Sequence, residues 1–101
     1  MKMKLADRIV LLNNLPDKGS SVSLAIRMDI FDKVKLTQDE IKKFKMEETK
    51  AGITFSKEAA AKDFDIDFTK AETDYVAKHL KELDKTEQLT GQTYALFKLF
   101  C

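Results

Sequence analysis

A chain of 101 residues with 44% hydrophobic and 35% charged side chains, seven of its residues Phe, has the makeup of one folded domain with a well-solvated exterior. At 11.6 kDa it buries roughly 65% of its unfolded surface, enough for one hydrophobic core across residues 1–101 without disulfides or a structural metal. The 18 basic and 17 acidic groups leave a net charge of +1, too little for long-range attraction to polyanions, and the single cysteine, Cys101, rules out an intramolecular disulfide.

The opening "MKMKLADRIVLLNNLP" carries the positive charges of a signal peptide, but Asp7 and Arg8 interrupt it and Ile9 to Leu12 is too short for a signal core. No stretch approaches the ~20 apolar residues of a membrane span, so a soluble, cytoplasmic protein is expected. Instead, Leu5, Ile9 and Leu12 keep helical spacing, which predicts a helix over 3–14 that stops before Pro16. Ser20 or Ser21 is placed to cap a second helix. The next segment, "VSLAIRMDI", reads two ways. Val22, Leu24, Ile26, Met28 and Ile30 alternate like a strand, whereas Leu24, Met28 and Phe31, and likewise Ile26, Ile30 and Val34, keep steps of three and four. The length of the pattern favours a largely buried helix over about 21–35.

"LTQDEI" is a capping box, Thr37 with Glu40, framed by Leu36 and Ile41 as a hydrophobic staple, and predicts a short helix over 38–44. Two short strands follow, about 45–49 and 53–55, around a tight turn at Lys50-Ala51-Gly52. "SKEAAAKD" has the makeup of a single helical turn. "KDFDIDFT", residues 62–69, then alternates Asp63, Asp65 and Asp67 with Phe64, Ile66 and Phe68, as a half-buried strand does. Thr69 and Glu72 form a second capping box, opening a helix that carries Val76, Leu80 and Leu83 on one face. Thr90 can cap a last helix, on which Tyr94, Phe97 and Phe100 or Cys101 share a face. The sum is an α+β fold: a compact, mainly helical domain of about five helices, with a small two- or three-stranded antiparallel sheet between the third and fourth.

Few residues qualify as a chemical site. Counted as a calcium loop from Asp63, the acids occupy positions 1, 3 and 5, but position 6 is Phe68 where glycine is needed and position 12 is Asp74 instead of glutamate. A strand accounts for every residue of the stretch. Lys42, Lys43 and Lys45 around Phe44 are the best nucleic-acid contact, yet the helix carrying them begins with Asp39 and Glu40 and is barely two turns long. A lone His79 beside an apolar stripe and a lone Cys101 make no zinc site within one chain, and neither has a nucleophile motif to serve. Gly19, Gly52 and Gly91 are isolated and form no phosphate loop. A non-enzymatic protein without cofactor or metal is expected. In "TYALFKLFC" the apolar residues cover more of the helix than one core stripe needs, which makes Tyr94, Phe97 and Phe100 the candidate protein interface.

The segments "DRIVLLNNLPDKG", "LTQDEIKKF", "ITFSKEAA" to "IDFTKAETDYVAKHLKELDK" and "LTGQTYALFKLF", in that order, resemble a group of small phage and prophage proteins over nearly the whole chain. The resemblance carries no catalytic motif. It implies a cytoplasmic or virion-associated protein of phage origin that binds a host or defence factor. A self-associating virion or assembly component is the alternative, and a weak nucleic-acid module through Lys42, Lys43 and Lys45 comes third.

Overall fold

The computed structural model describes residues 1–50 and 52–101. In chain order the elements are β1 (Lys2–Met3), α1 (Leu5–Asn14), α2 (Ser21–Val34), α3 (Gln38–Lys43), β2 (Glu47–Thr49), β3 (Gly52–Thr54), α4 (Lys57–Ala61), β4 (Phe64–Asp65), α5 (Lys70–Lys85) and α6 (Gly91–Phe100). The α+β class expected from the sequence holds, with the single turn at "SKEAAAKD" formed as α4. Of the turn expected at Lys50-Ala51-Gly52, residue 51 lies outside the described residues; Gly52 has φ 123°, a conformation that side-chain-bearing residues rarely adopt.

Local chemistry sets the helix starts. Ser20, Thr37, Ser56, Thr69 and Thr90 each accept a hydrogen bond from the backbone N–H three residues on, satisfying a donor that the first helical turn leaves free. Both predicted capping boxes close: Thr37 N–H donates to Glu40 and Thr69 N–H to Glu72, at 3.2 and 2.8 Å. Two helix ends are as well defined. Lys45 N–H donates to the Lys42 carbonyl and Met46 N–H to that of Ile41; Glu87 and Gln88 repeat the pattern on Asp84 and Leu83. These are Schellman ends, and the turning residues Lys45 (φ 53°) and Glu87 (φ 58°) are left-handed without being glycine.

The four longer helices carry the core. α1 packs on α2 and α6, and α5 packs on α2 and α6, closing a ring in the order α1, α2, α5, α6. Leu11, Ile30, Val34, Val76, Leu80, Leu96 and Phe100 fill its centre with Met3 and Ile66. A second, smaller cluster of Leu5, Phe44 and Ala59, edged by Ile9, Leu36, Met46 and Phe55, anchors the α3–hairpin–α4 segment to the base of α1.

The strands differ from expectation in their pairing. β2 and β3 form an antiparallel hairpin with Glu48 opposite Ile53, but β4 does not extend it. β4 pairs with β1, Lys2 opposite Asp65 and Met3 opposite Phe64, and the ladder's extension is the Ile66 N–H to Met1 carbonyl bond of 2.9 Å. The first helix, expected from residue 3, begins at Leu5, and Met3 belongs to β1 instead. Met3 is drawn out of helical register because it is buried in the main core against Ile66. The strand expected to begin at residue 45 starts at Glu47, because Lys45 and Met46 are used to close α3.

Candidate functional site

α2 is a helix, as chosen over the strand, but it is not largely buried. Its two apolar stripes lie about 130° apart on a helix that turns 100° per residue, so one layer of neighbours cannot cover both. Ile30 and Val34 are completely enclosed and Ile26 packs beside them, facing α1 and α5. The other stripe faces outward: Leu24 is half-buried, Met28 is 62% exposed and Phe31 43% exposed. Around it lie Arg27, whose Nε donates to the Pro16 carbonyl at 2.6 Å, and the loose Asp32–Lys35 pair at 3.7 Å. Scattered single apolar residues on a surface mean little, but three in register on one helix face form a patch of the kind that meets another molecule.

The other predicted interface changes on inspection. Tyr94 is 53% exposed and stacks on Phe97, ring centres 6.4 Å apart, with Lys98 over its outer face. Phe100, by contrast, is a core residue: it is 8% exposed and packs on Phe68 with ring centres 5.5 Å apart. The face of α6 that enters the ring is Thr93, Leu96 and Phe100, so of the expected trio only Tyr94 and Phe97 reach the surface.

Lys42, Lys43 and Lys45 are exposed at the end of α3, while Phe44 between them plugs the second cluster edge-on to Phe64. Acids flank the three lysines on both sides: Asp39 and Glu40 precede them, Glu47 and Glu48 follow. In "KDFDIDFT" the alternation holds: Ile66 is buried, Phe64 and Phe68 are half-buried, and all three aspartates are exposed. Asp63 pairs with Lys4 at 2.7 Å, and that ammonium holds its carboxyl below the usual aspartate range. Among the described residues no three His, Cys, Asp or Glu side chains gather as a metal-binding group. His79 is half-buried on α5, and Cys101 is exposed.

The feature that sequence reasoning missed is Arg8. Its guanidinium forks onto Glu40 (2.7 and 3.1 Å) and donates to the carbonyls of Val34 and Lys35 (3.2 and 2.8 Å), the open C-terminal end of α2. It also lies 4.7 Å from the centre of the Phe64 ring. One buried cation thereby ties α1, α2, α3 and β4 together. Glu72 plays a matching part, accepting from Lys33 on α2 while it caps α5. Each capping glutamate is shared with a base from another helix. The boxes were visible as local spacing; the bases, 32 and 39 residues away, leave no local signal. These contacts hold the frame, and α2 carries the free surface. No helix among the described residues is long and apolar enough to cross a membrane.

No family model, no curated protein and no solved structure matches the chain. The site therefore rests on its own geometry.

Proposed function

We propose that the chain is a non-enzymatic binding protein of the phage or prophage kind that acts by docking on another protein, a host or defence factor, through the outer face of α2. The observation that carries this reading is the exposed pair Met28 and Phe31, with half-buried Leu24 beside them, on a helix whose opposite side encloses Ile30 and Val34 completely. Met and Phe in register on an exposed helix face cost solubility, and such a patch is of the kind that meets another molecule. The phage origin and the host-directed role come from the resemblance of the sequence segments.

A second reading, a virion or assembly component present in repeated copies, has one observation in its favour. The α2 stripe and the Tyr94–Phe97 patch lie on helices that sit across the ring from each other. Two unlike apolar patches on different sides permit head-to-tail association, which need not close. The lysine trio gives a nucleic-acid reading little support, since acidic residues flank it on both sides.

Light scattering and tagged capture from an infected or lysogenic host separate the two. The docking reading expects a monomer that enriches a host protein, and expects Phe31→Asp to lose that protein while Tyr94→Ala keeps it. A ladder of homo-oligomers that Phe31→Asp or Tyr94→Ala dissolves would establish the assembly reading instead.

A further inference from the structure

The exposed face of α2 has a further property, visible when its residues are set in coiled-coil register. Leu24 and Phe31 are seven residues apart, Met28 lies four after Leu24, and Ser21 lies seven before Met28. These are the alternating steps of three and four of a heptad seam, with Ser21 and Met28 at a and Leu24 and Phe31 at d. All four positions lie within the helix, Ser21–Val34. Lys35 holds the next a position, but it is the C-cap, and its ψ of 150° takes the chain out of the helix there.

The same register puts Arg27 at g and Asp32 at e, on the two rims of the seam. Five residues of helix set them about 140° apart, too far round to pair within one chain. Among the described residues Arg27 engages only its Nε, on the Pro16 carbonyl, which leaves its Nη groups for another acceptor. The Asp32 side chain is 67% exposed and only loosely held by Lys35. In a parallel pair of helices, g of one chain faces the e position five residues on in the other, which is the spacing of Arg27 and Asp32. The two rims therefore complement each other between copies, twice over by two-fold symmetry. An antiparallel pair would set arginine against arginine and aspartate against aspartate.

We propose that the outer face of α2 takes a second copy of this chain, in a parallel two-fold pair with Met28 and Phe31 in the seam and two Arg27–Asp32 ion pairs along its rims. Four seam positions per chain fall well below the roughly 20–30 residues a side of a stable interface, so the pairing is weak and reversible. The chain is a monomer when dilute, and self-pairing competes with a docking partner for the same face. The inference rests on the exposure of α2 and its charges, whatever the host-directed role. Sedimentation velocity between about 10 µM and about 1 mM tests it, spanning the range of such weak association. Monomer at the lower end and a species of twice the 11.6 kDa chain mass at the upper end are expected. Arg27→Asp and Asp32→Arg should each weaken pairing at least about fivefold, and the two together should restore it to within about twofold. Met28→Asp abolishes pairing and Tyr94→Ala leaves it unchanged, with circular dichroism confirming the fold of each variant. A monomer at every concentration overturns the proposal, and since docking is read separately by capture, it leaves that reading standing. A ladder beyond the dimer, or a dimer that the combined charge swap does not restore, overturns it as well.

Discussion

Arg8 is where the fold concentrates its electrostatic risk. Its side chain is 5% exposed, its charge is balanced by the partly exposed Glu40, and two of its four hydrogen bonds satisfy the end of α2. Removing one partner of such a pair leaves the other group uncompensated, which costs more than the pair contributes. Arg8→Met is expected to destabilise the protein by about 3 kcal/mol in urea denaturation, while Lys42→Met on the exposed face of α3 stays within about 0.5 kcal/mol. A smaller reserve lies at the Schellman turns. Lys45 holds a left-handed conformation that costs an L-residue about 1 kcal/mol, so Lys45→Gly is expected to raise stability by roughly 0.5–1 kcal/mol in the same assay. Little of this was legible in the sequence. Arg8 stands between Asp7 and Ile9 like any surface arginine, and only the fold brings Glu40 and the α2 carbonyls to it.

At the scale of elements the sequence was far more readable, and the reason is locality. A capping box needs only four consecutive residues, so both boxes and the Ser20 and Thr90 caps appear where spacing placed them. Strand pairing is set by distant partners, and there the reading fell short: β4 pairs with β1 across more than sixty residues, which no local pattern announces. The capping glutamates also give the fold an acid limit. Arg8 hydrogen bonding is the main influence on Glu40 and holds its carboxyl below the ordinary 4.5. For Glu72 burial pushes upward, but Lys33 and the Thr69 N–H outweigh it and the net direction is again down. A carboxyl depressed in the folded state stabilises the protein above its unfolded value and loses that contribution as pH falls through the folded one. Thermal stability is therefore expected to be level near neutrality and to fall below about pH 4.5. Replacing Glu40 and Glu72 together by Gln should lower stability at pH 7 and flatten the fall. An equally steep fall in that variant would place the acid limit elsewhere.

For the whole molecule, the question is why a chain with so few functional signals keeps an uncovered helix face. The four-helix ring encloses one stripe of α2, no element among the described residues covers the other, and both stripes keep helical steps of three or four residues. Periodicity therefore predicted the helix correctly and its burial wrongly: it marks which residues share a face, and only the count of neighbours says which face is covered. The same limit moved Phe100 from the predicted interface to the core. The α2 stripe is accordingly expected to matter for binding and not for folding, so Met28→Asp should change unfolding free energy by less than about 1 kcal/mol. The most direct test compares the affinity of one captured host protein for the wild type and for the Met28→Asp, Phe31→Asp double variant. Docking through α2 predicts a loss of at least about a hundredfold with an unchanged circular dichroism spectrum and a monomeric mass. An affinity within about twofold of the wild type would contradict it and move the docking surface elsewhere on the molecule.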